Sequence, residues 1–267
     1  MTDRVVPDPD QPGAWVVRVG GADQSWVDPT DPTNLQFDYM ERIARQIDEH
    51  GEPGERQRVI HVGGAAMTLA RYVAHTRPTS PQIVLEPDAE LTAEVREKIP
   101  LPRTSGIKVR PVDGREGLAA MPDDYADVII VDAFDGARVP GALVTVEYFA
   151  DLRRVLHADG VVLFNVTDTH PFSWTRRVLA GLDLYFTHRM LSAEGATLKG
   201  RRFGNVVLAA SPAALPVDRL ERAASGAMFP YRLVHGEHLE RLVGGAQPMH
   251  DPGEASPPPP SGRHFFE

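Results

Sequence analysis

Apolar positions along the chain fall into two alternating rhythms. Short runs at residues 58–62, 82–86, 127–132 and 161–166 are rich in Val, Ile and Leu with little alternation, the pattern of strands covered on both faces, and 107–112 adds a shorter β-type run. Between them, residues 65–75, 88–98, 116–121, 144–156 and 172–182 carry apolar side chains at helical spacing. Strands that alternate with helices in this way predict an α/β chain with a doubly wound, mostly parallel sheet. Past that point two β-type runs, 185–191 and 205–210, succeed each other with no long helix between them, which predicts an antiparallel hairpin at the sheet edge and seven strands in all. Residues 215–224 and 237–243 read as short helices.

The first 32 residues differ from the rest. Trp15-Val-Val-Arg-Val19 and Ser25-Trp-Val27 flank Gly20-Gly21-Ala22-Asp23, the pattern of a short β-hairpin. After the turn-rich Asp28-Pro-Thr-Asp-Pro32, Thr33 or Asn34 can cap a helix to about His50 with Leu35, Tyr39, Ile43 and Ile47 on one face. From Gln247 the chain is too rich in proline for a regular element, with Ser256-Pro-Pro-Pro-Pro260 its densest part, and is expected to be disordered or extended. The organisation expected is thus a hairpin segment (1–32), a Rossmann-like domain (33–246) and a tail (247–267).

Chemistry gathers where the predicted strands end. The first parallel strand runs into Gly63-Gly64, where small residues let a ligand approach the backbone and the next helix offers unpaired N–H groups. The segment lacks the full G-x-G-x-x-G and Gly-Lys-Ser/Thr patterns, so NAD and ATP are disfavoured. About twenty residues on, Glu86 closes the second strand, a place from which a carboxylate accepts hydrogen bonds from both hydroxyls of a ribose. The third strand ends at Asp113-Gly114, where a carboxylate can meet the exocyclic amine of adenine. The fourth ends in Asp132, with Asp135 three residues further. Each carboxylate alone is as easily a helix cap, above all Asp88 and Asp113. It is their recurrence in chain order that marks a nucleoside crevice at the carboxyl edge of the sheet.

Charge and composition remove several classes of function. A formal net charge of −9 speaks against a nucleic-acid or anionic-membrane partner and favours a cationic small substrate. Cysteine is absent, so thiolate nucleophiles, zinc–thiolate sites and disulfides are excluded, as fits a cytoplasmic protein. No signal sequence or spanning segment is visible. The ten histidines show no metal-ligand spacing, so no metal is expected, and no G-x-S-x-G elbow occurs.

Taken together, these residues resemble the spermidine synthase family of polyamine aminopropyltransferases, in the actinobacterial spermidine synthase-like branch, whose core is that of S-adenosylmethionine-dependent methyltransferases. Val131-Asp-Ala-Phe-Asp-Gly136 is similar to the family's D-S-S-D-P segment, Gln24 and Tyr39-Met-Glu41 to its N-terminal Gln and Y-x-E elements, and Gly200-Arg-Arg-Phe-Gly204 to its G-R-x-x-F stretch. The resemblance implies that decarboxylated S-adenosylmethionine, the co-substrate, lies over Gly63 and Gly64 with its ribose on Glu86 and its adenine near Asp113 and Gly114. It implies Asp132 as general base with Tyr39 beside it, and Gln24, Glu41 and Asp135 as the residues that hold an amine acceptor. It also implies a homodimer formed through the N-terminal strands.

The sequence departs from that family at three places. Ala65-Ala66 stands where the glycine loop normally carries an Asp for the aminopropyl nitrogen; Ala133-Phe134 replaces the two serines and Gly136-Ala-Arg-Val-Pro140 the loop that closes over the site, which puts Arg138 near an amine pocket; and the family's Tyr before the G-R-x-x-F stretch has no counterpart in Ala196-Thr-Leu-Lys199. Two other readings keep the fold: a methyltransferase that uses intact S-adenosylmethionine on a small molecule, for whose carboxylate Arg71 is a candidate partner, and a non-catalytic nucleoside-binding homologue.

Overall fold

The computed structural model describes residues 3–19, 22–227 and 229–260. Three short antiparallel strands open the chain, β1 (Val5–Pro7), β2 (Trp15–Val19) and β3 (Ala22–Val27), in the order β1-β2-β3. The expected hairpin is therefore a three-stranded sheet, and its Gly20-Gly21 turn lies outside the described residues. The added strand is too short to show a periodic pattern. It is held by pairing to β2 and by the Glu94 carboxylate, which accepts from the Arg4 and Val5 N–H groups at 3.0 and 2.9 Å.

The main domain begins with α1 (Asp38–Glu49) and continues through β4 (Val59–Val62), α2 (Thr68–Thr76), β5 (Gln82–Leu85), α3 (Ala89–Lys98), β6 (Ile107–Arg110), α4 (Gly114–Ala119) and β7 (Ala126–Val131). After a 3-10 turn at Gly141–Leu143 come α5 (Val146–Val155), β8 (Leu156–Asp168), α6 (Ser173–Leu182), β9 (His188–Glu194), α7 (Gly195–Leu198), β10 (Gly204–Ser211), α8 (Val217–Ser225), β11 (Tyr231–His235) and α9 (Gly236–Val243). Helix α1 starts at Asp38, four residues later than the latest cap expected. Asp28 and Asp31 instead accept hydrogen bonds from Thr30, Asp31 and Thr33, and these local turns compete with the helix.

The main sheet has the order β11-β9-β10-β8-β7-β4-β5-β6, eight strands where seven were expected. The extra strand, β11, pairs antiparallel with β9 and is only half-buried, so its residues lack the apolar signature of the interior strands. Strands β6, β5, β4, β7 and β8 are parallel, and β10, β9 and β11 complete the sheet antiparallel. Period-2 side chains feed two cores. Ile129 and Val131 point to the layer built with α4, α5, α6 and α9, whereas Val128 and Ile130 point to the layer of α1, α2 and α8. The N-terminal sheet packs Val5, Val17 and Val27 on Met67, which precedes α2, on Ala70 of α2 and on Leu91 and Val95 of α3.

The chain leaves β4 outward to β5 and β6, then returns to β7 on the other side of β4, so the sheet reverses between β4 and β7. At such a reversal the two connections diverge and leave a crevice above the carboxyl ends of the strands. There Gly63 has φ +89°, and a Cβ at this position would lie 2.3 Å from the Asp132 carbonyl oxygen. The ladder extends one step beyond the strands, because the N–H groups of Gly63 and Asp132 donate to the carbonyls of Leu85 and Val62 at 3.0 and 2.9 Å.

Of the two states expected for the tail, disordered or extended, residues 247–260 take the extended one and run as a strap along α5, α6 and the 3-10 turn; residues 261–267 lie outside the described residues. Met249 is 1% exposed, its carbonyl accepts from the Val146 N–H at 2.9 Å, and the Glu254 carbonyl accepts from the Trp174 indole N–H at 2.8 Å. A proline-rich strap has no ladder to form, but its carbonyls remain acceptors and it loses little chain entropy on docking. Among the described residues no helix is long and apolar enough to cross a membrane.

Replacing Gly63 by Ala should lower stability by about 2–4 kcal/mol, because strain at positive φ adds to a backbone clash. Gly13→Ala, at φ +95° with open space around it, should lose only about 1 kcal/mol. Urea unfolding of the two variants checks the difference, and equal losses would show that the β4–β7 approach is not the constraint.

Candidate functional site

Above the β4–β7 reversal lies a cavity of ≈ 780 Å³, bounded by the strand ends, by Gln24 and Ser25 of β3, by the start of α1 and by residues 133–137. Gly64 cannot carry a side chain without meeting Val84, since a Cβ there would lie 2.6 Å from Val84 Cγ1. Its N–H and that of Ala65 donate to Glu86 Oε2 at 3.0 and 3.2 Å, while Glu86 Oε1 accepts from the Asp88 N–H at 3.0 Å. The carboxylate that ends β5 thereby braces the turn that ends β4. Asp113 caps α4 by accepting from the Arg115 N–H at 2.8 Å and also lines the cavity, so cap and cavity residue are the same side chain. Beside it, Gly114 lets α4 pack on Val62, whose Cγ1 would be 2.2 Å from a Cβ.

Asp132 stands at the end of β7 between two donors. Asn165 Nδ2 of β8 donates to Oδ1 at 2.8 Å, and the Tyr39 hydroxyl of α1 donates to Oδ2 at 3.4 Å. Desolvation pushes the Asp132 carboxyl up from 3.8 to about 6, and the hydrogen bonds from Asn165 and Tyr39 hold it from rising further. Tyr39 is buried; desolvation and then the Asp132 charge raise its hydroxyl well above the ordinary phenol value, so it stays a neutral donor. Beneath the glycine turn, His61 is buried against Gln82 Oε1 at 2.8 Å, and burial lowers its imidazole to about 4. It is an uncharged core residue at neutral pH.

Nine of the ten site residues singled out in the sequence line this one cavity: Gln24, Tyr39, Gly63, Gly64, Glu86, Asp113, Gly114, Asp132 and Asp135. Glu41 is the exception: it is not part of the lining. It stands two residues beyond Tyr39 on α1, about 200° round the helix from it, and its carboxyl is raised by desolvation and then by Asp38. Arg71 is also turned away: Nε donates to the Ala66 carbonyl at 3.1 Å, and Nη2 and Nη1 donate to the carbonyls of Ile99 and Pro100 just after α3. Arg138 carries its guanidinium outward to the strap, so it adds no positive charge to the lining.

Seven carboxylates line the cavity, from Asp38, Glu86, Asp88, Asp113, Asp132, Asp135 and Glu194. Among the described residues the only guanidinium on the lining is that of Arg202, paired with Glu194 at 3.3 Å. Asp38 and Asp88 are also ion-paired, with Arg42 and Arg4, which leaves Glu86, Asp113, Asp132 and Asp135 without an ion-pair partner among the described residues, an excess of one sign that favours a cationic ligand. Asn165 and Thr167 also line it, were not anticipated from the sequence, and each keeps a buried oxygen, Oδ1 and Oγ1, with no partner. The signal available was their place at the end of the fifth parallel strand, beside the Asp132 strand.

No family model matches the chain. Among curated proteins it is 25% identical over 225 residues to the polyamine aminopropyltransferase of Chromobacterium violaceum, covering 82% of this chain and 81% of that protein. Among solved structures it is similar to a probable spermidine synthase from Corynebacterium glutamicum, at 30% identity, with 94% of this chain and 93% of that chain covered and a TM-score of 0.85. Human methyltransferase-like protein 13, solved in complex with SAH, shares the fold alone at 18% identity and a TM-score of 0.55, with 81% of this chain and 96% of that chain covered. With 30% identity carried across nearly the full length of both chains, and with the strand-end carboxylates arranged as described, this chain belongs to the spermidine synthase family of polyamine aminopropyltransferases, built on the methyltransferase-type Rossmann-like fold.

Proposed function

We propose that the protein transfers an aminopropyl group from decarboxylated S-adenosylmethionine to an amine acceptor of the polyamine class, in the cytoplasm and as a homodimer paired through its N-terminal strands. The observation that carries this reading is the raised carboxyl of Asp132 on the floor of a cavity lined by seven carboxylates. Both substrates are cations, and one of them must lose a proton at this spot.

In the reaction an amine nitrogen attacks the propyl carbon next to the sulfonium. The new C–N bond forms as the C–S bond breaks, the sulfur keeps the electron pair, and methylthioadenosine leaves neutral, so the leaving group needs no acid. The demand falls on the nucleophile. An alkylammonium of pKa near 10 costs roughly 4–5 kcal/mol to deprotonate at neutral pH. An ordinary carboxylate is a poor match for that proton, whereas one raised to about 6 by burial is a better base and remains mostly ionised at pH 7. Asp132 takes the proton, with Asn165 and Tyr39 fixing its two oxygens in place. Gly63 and Gly64 give the nucleoside close access to the backbone, Glu86 faces its ribose and Asp113 its base, and Asp135 with Gln24 holds the far end of the acceptor.

Methyl transfer from intact S-adenosylmethionine is supported less well. Its carboxylate needs a cationic partner, and Arg71 is committed to three carbonyls outside the cavity while Arg202 is paired with Glu194. A purely binding role leaves the raised Asp132 without a task.

Titration calorimetry with decarboxylated S-adenosylmethionine, intact S-adenosylmethionine and methylthioadenosine should give at least about tenfold tighter binding of the decarboxylated donor than of the intact one, a difference of about 1.4 kcal/mol. A preference for the intact donor would transfer the reading to methylation. Asp132→Asn should cut kcat by about a thousandfold while methylthioadenosine affinity stays within about twofold, because the amide keeps the shape but takes no proton. Near-normal turnover in that variant would remove Asp132 as the base. The acid limb of kcat/KM should fall off at about pH 6, since the base must be ionised. Asn165→Ala deletes a donor that favours the ionised form, so it should move that limb to higher pH; a shift to lower pH would contradict the assignment.

A further inference from the structure

Residues 135–138 form a tight turn, with the Asp135 N–H donating to the Arg138 carbonyl at 2.8 Å, the Arg138 N–H donating back at 3.2 Å, and Gly136 at φ +61° between them. This turn is exposed and has few apolar contacts, so by itself it is a low-stability segment. It is nevertheless tied down on its outer side. The Arg138 guanidinium donates through Nε to the Ser256 carbonyl and through Nη2 to the Ala255 carbonyl at 3.2 Å. Next to it, the Val139 N–H donates to Ser256 Oγ at 2.9 Å and the Ser256 N–H donates to the Val139 carbonyl at 3.0 Å.

Ser256 is itself completely buried, and the strap that carries it is anchored upstream, where Asp251 accepts from Arg115 at 2.6 and 2.7 Å and from the Thr145 hydroxyl at 2.8 Å. Beyond Ser256 the strap reaches the cavity, where Pro259 is part of the lining. On the inner side, Gln24 Nε2 donates to the Gly136 carbonyl at 3.2 Å. The turn that bears Asp135 is thus held between the N-terminal sheet and the proline-rich strap.

We infer that Arg138 and Ser256 form a clasp by which the proline-rich strap fixes the Asp135 turn against the cavity, making Arg138 a positioning residue for the acceptor site. The backbone of Arg138 closes the turn and its side chain fastens it, so any displacement of the guanidinium is passed directly to Asp135. The inference deepens the proposed function and rests on it in one respect, the role of Asp135 toward an amine. The clasp itself stands on the hydrogen bonds alone.

Full-length Arg138→Ala, which removes two charge-assisted hydrogen bonds, and Ser256→Ala, which removes one buried hydrogen bond, compared with the parent protein by hydrogen exchange with mass spectrometry, should each speed amide exchange across residues 133–139 by at least about tenfold. With putrescine as acceptor, Arg138→Ala should raise KM by about tenfold and change kcat by less than about threefold, and Arg138→Lys should recover part of the loss. Unchanged exchange in both variants overturns the clasp, whether or not the protein turns over putrescine. Faster exchange with unaltered KM overturns the positioning role. A parent protein with no amine-dependent turnover counts against the proposed function instead, and the exchange comparison still decides the clasp.

Discussion

The carboxyl ends of β4 and β7 can touch only because residue 63 has no side chain. Its backbone lies against that of Asp132 so closely that a single added carbon would come within 2.3 Å of a carbonyl oxygen. Adjacent parallel strands normally hand their chains to helices on opposite faces at a reversal, which opens a crevice, and here the crevice floor is drawn tight. The consequence is positional. Asp132, Glu86 and Asp113 come from three different strand ends, yet each is fixed relative to one backbone junction: Asp132 through its ladder bond to Val62, Glu86 through the N–H groups of Gly64 and Ala65, and Asp113 through the close seat of Gly114 on Val62.

That crowding sets the electrostatics of the site. Carboxylates brought to one cavity in excess of the cations that pair with them are costly, and burial raises the most desolvated of them, Asp132, to about 6. Three of these charges are ion-paired, Asp38 with Arg42, Asp88 with Arg4 and Glu194 with Arg202, whereas Arg71 is spent on main-chain carbonyls behind α3. Glu86, Asp113, Asp132 and Asp135 have no ion-pair partner among the described residues, so that remaining negative charge is left to be neutralised from outside.

Much of the fold was readable in the sequence because its interior strands are nearly pure Val, Ile and Leu, and a strand covered on both faces has few other choices. The strand-end residues were readable for the same reason, since the limits of a strand decide which side chains stand at its carboxyl end. The features that escaped the sequence depend on side chains meeting across long separations. β11 has no apolar pattern of its own, and Asn165 becomes meaningful only when β8 lies beside β7. The docking of the strap could not be read because proline-rich segments have no hydrogen-bonding pattern of their own, and Val146, Trp174 and Arg138 supply the donors. Glu41 stands outside the lining for a local reason: a motif gives spacing along a helix, and spacing alone does not say which way the helix is turned.

The buried pair of His61 and Gln82 has a consequence for acid. His61 has its imidazole at about 4 in the folded protein against 6.5 for the free group, so its contribution to stability is complete above 6.5 and is lost as pH falls toward 4. Asp132 runs the other way, about 6 folded against 3.8 free, so its contribution is complete below 3.8 and is lost as pH rises through 6. The two windows nearly coincide. Unfolding near pH 5 therefore releases a proton from Asp132 as His61 takes one up, and the joint proton inventory of these two groups stays close to balance.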